Sequence, residues 1–163
     1  MENILGSSLQ ISSSSEHFLK TLELIGLAEK TILIHCHDLT PRIYNHPDIS
    51  NALSKFITSN SKTRQIKILI NDISSIIACD HKILTASRRL SSNIAIKKIA
   101  KHHINHTESF ILVDNKIFIH RTDYSQFEGT YACDQKQSKA MLNLFNELWS
   151  ASENNSNLNR LYI

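Results

Sequence analysis

The stretch Asn105 to Asp123, NHTESFILVDNKIFIHRTD, gathers two histidines (His106 and His120), a carboxylate (Glu108) and a guanidinium (Arg121). Imidazoles exchange protons near neutral pH and can attack phosphorus, and an arginine fork matches phosphoryl oxygens. On a strand, positions i and i+2 point the same way, so Glu108 would face the pocket beside His106. The chemistry these types can do is phosphate chemistry. His106 is the candidate nucleophile, His120 and Arg121 are candidate phosphate holders, and Glu108 can orient a histidine. The bland alternative for His106 is a polar residue at a strand entrance, hydrogen-bonded to Glu108 or water.

Other groupings compete for attention. His35 and His37 in HCHD fall on one face of a strand end, a spacing that can seat a metal. No third ligand stands at fixed spacing, and His46 or His81 could join only through the fold, so no metal or cofactor is assigned. The run RRLSSNIAIKKIAKHH, Arg88 to His103, holds Arg88, Arg89, Lys97, Lys98, Lys101 and two histidines, and is the best candidate for an anionic partner. It has no aromatic residues, which removes the stacking platform of single-strand binders and leaves duplex phosphate contact as the nucleic-acid mode. Such a run is ordinarily a solvated face. Within it Arg88 is a candidate ligand contact, although pairing of Arg88 or Arg89 with Asp80 or Glu108 is the favoured role. No Gly-rich phosphate loop, nucleophile elbow or His-Glu-x-x-His motif occurs.

The composition suits one globular domain: 163 residues, 41% hydrophobic and 20% charged, with 3 Gly and 2 Pro. A formal charge of +3 favours encounter with phosphate but falls short of a dedicated nucleic-acid binder. Three cysteines, far apart and odd in number, exclude a disulfide framework or zinc ribbon and fit a reducing cytoplasm. The N-terminus carries no leader-like segment, and no run approaches the ~18 apolar residues of a membrane span. A cytoplasmic location is therefore expected.

The elements that must position these side chains follow from periodicity. Residues 1–13, rich in serine, are expected to form a flexible tail, with a single domain over 14–163. Ser13 and Glu16 make a capping box for a helix to about Lys30, with Phe18, Leu22, Ile25 and Ala28 inward. TILIHC (31–36), RQIKILI (64–70) and NIAIKKI (93–99) read as strands. DHKILTASRRL (80–90) and a segment from Asp48 to about Ser59 read as helices. SFILVD and KIFIHR are two further strands joined at Asp114-Asn115. Met141, Leu144, Phe145, Leu148 and Trp149 mark the buried face of a final helix; Tyr131 and Trp149 read as core or interface aromatics. Strands alternating with helices, then a hairpin, predict an α/β fold with a mixed, partly parallel sheet flanked by helices.

The element order, with a histidine-led strand ending Val-Asp and running into DNKIFIHR, resembles one half of the phospholipase D-like superfamily. Its signature is His-x-Lys-x-x-x-x-Asp followed by Gly-Ser-x-Asn. That resemblance implies paired histidines, one attacking phosphorus and one protonating the leaving group, with lysines on the phosphoryl oxygens. In single-motif chains it implies a homodimer with both sites at the shared seam. The motif here is broken. Counting from His106, Glu108 takes the lysine position and Val113 the aspartate position, with Asp114 one residue late; counting back from Asp114, Thr107 and Ser109 replace histidine and lysine. HRTD stands where Gly-Ser-x-Asn is expected. A carboxylate about 4 Å from a phosphoryl charge costs on the order of 4 kcal/mol at an effective dielectric near 20, where a lysine would gain a similar amount. HKILTASRRL, HTESFILVD, YSQFEG, LFNELW and NRLYI, in that order, are similar to a little-characterised proteobacterial family of degenerate phospholipase D-like domains, in which the glutamate at 108 is part of the pattern.

The sequence therefore predicts a non-catalytic or altered domain that binds a phosphate-containing ligand, a nucleic-acid backbone or a protein partner, with homodimerisation implied by the resemblance. Two alternatives stand beside it: a divergent phosphodiesterase or nuclease working through His106, and a purely structural interaction module.

Overall fold

A computed structural model describes residues 6–60, 62–103, 105–152 and 158. Seven strands form one mixed sheet in the order β1-β7-β6-β5-β2-β3-β4. The strands are β1 (Ser8–Ile11), β2 (Thr31–Cys36), β3 (Gln65–Ile70), β4 (Ile94–Lys98), β5 (Ser109–Val113), β6 (Ile117–Arg121) and β7 (Gly129–Cys133). Strands β2, β3 and β4 run parallel, and the other pairings are antiparallel. The parallel strands are runs of Ile and Leu because helices cover both their faces.

Helices α1 (Ser14–Leu27), α3 (Pro47–Ser59) and α5 (Lys82–Arg89), with short α2 (Pro41–Tyr44) and α4 (Ser74–Ala78), belong to one side. Their core includes Leu24, Ile32, Ile34, Ile49, Leu53, Ile66, Ile68 and Ile83. Helix α6 (Gln135–Ala151) covers the other face through Met141, Phe145 and Leu148, packed against Leu33, Leu69, Phe110, Leu112 and Phe118. Alternation along each strand assigns its side chains to the two cores.

The N-terminal expectation is corrected in part. Ser8–Ile11, placed in the tail, pairs antiparallel with β7 as an edge strand, because Leu9 and Ile11 meet an open neighbour that the serine content does not reveal. The capping box forms: Glu16 N–H donates to Ser13 Oγ at 3.2 Å, and Glu16 receives the backbone N–H of Ser12 at 2.8 Å. The buried stripe of α1 is rotated from the expected one. His17, Thr21, Leu24 and Ile25 are buried, whereas Phe18 and Leu22 are only partly so. Strand β7 and helices α2 and α4 were not foreseen; GTYAC is too short and mixed for a clear period.

Asp114, the displaced motif aspartate, has a structural role. It and Asn115 both take positive φ, 51° and 57°, the turn geometry that Asp and Asn tolerate best. The Asp114 carboxylate accepts the backbone N–H groups of Glu29, Lys30 and Thr31 at 2.7–2.8 Å. The hairpin is thereby fastened to the start of β2.

Candidate functional site

Strands β2, β3 and β4 build outward one way, and the chain then crosses back to lay β5, β6 and β7 on the other side of β2. The reversal falls between β2 and β5. In open α/β sheets the crevice beyond the carboxyl ends of the parallel strands at such a point is where ligands bind. Here that crevice holds the end of β2, the entry to β5 and the end of β6.

His35 pairs in register with Phe110, and Phe110 with His120, so three successive strands deliver side chains to one rim on the α6 side. Glu108 Oε2 and His120 Nε2 are 2.8 Å apart. That hydrogen bond holds the Glu108 carboxyl below the usual carboxylate range, against the opposing effect of burial. The His35 and His106 ring centroids lie 6.3 Å apart, edge to face. His35 is 1% exposed, and burial pushes its pKa down to about 4, so it is neutral at pH 7. Its Nδ1 is buried with no hydrogen-bond partner among the described residues. Such an unsatisfied donor or acceptor costs roughly 1–3 kcal/mol. Between the rim and α6 lies a cavity of about 220 Å³ lined by Glu108, His120, Gln137, Ala140, Met141 and Leu144. Among the described residues no lysine or arginine lines it.

The expected convergence of His106, His120 and Arg121 is corrected. Arg121 follows His120 on β6 and so points to the opposite face. It is 3% exposed, and its guanidinium donates to Ser109 Oγ at 2.9 Å, to the carbonyls of Tyr124 and Gln126 at 3.3 and 3.1 Å, and to Thr40 Oγ1 at 3.3 Å. It fastens the 122–128 loop and does not reach the rim. Glu108 orients a histidine as anticipated, but that histidine is His120, and neither His106 nor Glu108 lies within a strand. Arg88 also stands apart. It is in the last turn of α5, which leads into the start of β4 and so to the opposite end of the sheet, and its Nε donates to the Leu158 carbonyl at 3.3 Å.

The basic run does not form one surface. Lys97 lies over Trp149 at 4.6 Å and donates to the Trp149 carbonyl at 3.3 Å, and Lys67 approaches the same ring at 5.3 Å. Lys101, His102 and His103 form a 3₁₀ turn beyond β4. Among the described residues no three His, Cys, Asp or Glu side chains are grouped as a metal site requires; His35 turns instead toward His106. His37 stacks on Tyr124, with centroids 4.1 Å apart and planes within 6°, and Tyr124 N–H donates to the Thr107 carbonyl at 2.8 Å. Sequence reading missed Tyr124 and the place of His35 in this rim. Alternation in TILIHC, which puts Leu33 and His35 on one face, was the available signal.

No curated protein sequence is similar. Solved structures are. The chain superimposes on an archaeal chromatin protein, TrmBL2, whose structure shows a novel mode of DNA binding, with TM-score 0.67 and 15% identity over 95% of this chain and 56% of that one. This chain thus spans little more than half of that relative's length. It also matches NucT from Helicobacter pylori (TM-score 0.62, 11% identity, 91% and 99% of the two chains). A third match is Nuc from Salmonella typhimurium, a phospholipase D family member (TM-score 0.63, 18% identity, 91% and 97%). These likenesses establish the phospholipase D-like fold. A family model described as "Domain of unknown function (DUF7931)" matches residues 13–161, and the chain therefore belongs to that family.

Proposed function

We propose that this domain binds a phosphate-containing ligand at the histidine rim and does not hydrolyse it. The observation that carries the reading is the Glu108–His120 pair at 2.8 Å, which lines a cavity with no lysine or arginine among the described residues on its walls; His35 and His106 pack edge to face nearby, 6.3 Å apart. The partly exposed imidazoles of His106 and His120 offer N–H donors for phosphoryl oxygens. Hydrolysis would need cationic stabilisation of the transition-state charge. Arg121, the expected substitute for the missing lysine, has Nε, Nη1 and Nη2 all engaged on the far face. The fold relatives, one described as binding DNA and one as a phospholipase D family member, support a phosphate ligand by analogy alone. Homodimerisation, implied by the resemblance, would set two such rims together; sedimentation of the purified protein tests it.

The test is titration of the protein with ethyl phosphate, followed through the imidazole NMR signals. Saturable shifts of the His106 and His120 signals are expected, with weaker binding in His106→Ala. Absence of any shift at millimolar ligand would overturn the reading.

A further inference from the structure

Helices α1 and α3 each lead into one of the parallel strands, so they run in the same direction along the sheet, and they pack against each other. On α1, Phe18, Leu19, Leu22 and Gly26 fall at i, i+1, i+4 and i+8, one stripe along the seam. Leu19 is 60% exposed, and Phe18 and Leu22 are only partly covered. Two cavities open along this stripe. One, of about 290 Å³, lies near the helix starts among Phe18, Leu19, Arg42 and His46. The other, of about 330 Å³, lies near the helix ends among Leu22, Gly26, Ala52, Lys55, Phe56 and Arg64. A Cβ at Gly26 would meet nothing within 4 Å, so the groove is open there. The stripe from Phe18 to Gly26 is about 12 Å long.

This apolar floor has cations at both ends. Arg42 and Lys55 are exposed. Arg64 is held over the Phe56 ring at 5.0 Å, and its Nη1 donates to the Phe56 carbonyl at 2.9 Å and to Ser59 Oγ. Neither Arg42, Lys55 nor Arg64 has an ion-pair partner among the described residues. No described aspartate or glutamate lines either cavity; Asp48, near the helix starts, faces His46 Nδ1 at 3.6 Å.

We propose that the α1–α3 seam is a docking groove for an acidic amphipathic helix of a partner protein. Apolar anchors at i, i+4 and i+7 of such a helix span about 10 Å, the length of the exposed stripe. Carboxylates in its first and last turns then meet Arg42 at one end and Lys55 with Arg64 at the other. An aliphatic acid, with one carboxylate, would use one end only. A second copy of this chain would set the same cations against each other, because a two-fold contact pairs a patch with itself. The groove lies on the α1 side of the sheet, away from the histidine rim, and does not depend on what the rim binds.

The probe is an alanine-rich peptide of about four helical turns, with leucines at i, i+4 and i+7 and glutamates in its first and last turns, labelled for fluorescence anisotropy. Its controls carry lysine for glutamate, or serine for leucine. The full chain should bind the acidic peptide saturably and more weakly as salt rises, and should bind either control at least about tenfold more weakly. Leu19→Glu should weaken the acidic peptide by a similar factor. The double variant Arg42→Glu, Lys55→Glu should reverse the preference in favour of the lysine peptide, a rescue that a merely structural role of these side chains would not produce. All of these positions are exposed, so the variants should fold, with urea midpoints near that of the unaltered protein. Equal binding of the acidic and lysine peptides, or no saturable binding at millimolar peptide, would overturn the inference. Displacement of the peptide by octanoate at lower concentration than the peptide itself would also overturn it, marking an aliphatic-acid site. A dimer that Leu19→Glu converts to a monomer would overturn it too, making the seam a contact between copies.

Discussion

His120 and Arg121 are neighbours on β6, yet they enter two different environments. On the α1 side, Arg121 is enclosed with Ser109, Thr40 and two loop carbonyls, and four of its five N–H groups have acceptors. On the α6 side, His120 and Glu108 are partly exposed beside a cavity, and His35 keeps a buried nitrogen without a partner among the described residues. A saturated polar cluster locks loops and strand ends. An unsaturated one at a topological switch point is where a ligand has something to complete. The residue type alone would have ranked Arg121 as the better phosphate holder, and its saturation reverses that order.

The largest test of this contrast is Arg121→Met. Removing the guanidinium strands Ser109, Thr40 and two carbonyls, and stability should fall by about 4 kcal/mol, read as a lower urea midpoint with unchanged dependence on denaturant. A cost near zero would erase the distinction between the two faces.

Acid should reveal the same buried polar layer. Burial, aided by the Arg121 charge, pushes His17 down to about 4, and burial pushes His35 to about 4. Their folded values lie below the unfolded value near 6.5, so the unfolded chain binds more protons between about pH 6.5 and pH 4. Stability is therefore full above pH 6.5 and is lost as pH falls through that window, by on the order of 3 kcal/mol per histidine. Thermal melts across pH 7 to 4 measure it, and His17→Gln should flatten the slope by about half if the His17 contribution is as described.

Asp114→Ala sharpens the comparison from a third place, since it removes one carboxylate that accepts three backbone N–H groups. A loss of about 2 kcal/mol in the urea midpoint is expected, with ethyl phosphate binding unchanged. The smallest stability effect belongs to the rim. His120→Ala should cost less than about 1 kcal/mol, because the pair is partly solvated, while weakening ethyl phosphate about tenfold or more.

Much of the architecture was legible in the amino-acid pattern. The Ile- and Leu-rich runs of β2, β3 and β4, the Asp114-Asn115 turn and the α6 stripe all follow from period and turn chemistry. Strand β1 was not, because its exposed Ser8 and Gln10 are fixed by pairing with β7, a contact 120 residues distant that no local period encodes. The histidine rim was half legible. His106, Glu108 and His120 lie close in sequence and meet, whereas His35 arrives from another strand through sheet register. Arg121 misled because one residue of alternation separates a site-facing side chain from a buried lock, and the strand boundary at Ser109 sets which is which. Arg88 misled because helix α5 runs back along the sheet and carries its last turn to the far end.

The central claim is that the rim binds phosphate without cleaving a phosphodiester. It is tested most directly by turnover of bis(p-nitrophenyl) phosphate by the purified protein beside His106→Ala. The account predicts no hydrolysis above background by either protein. Hydrolysis by the unaltered chain that disappears in His106→Ala would contradict it, and would make His106 a working nucleophile despite Glu108.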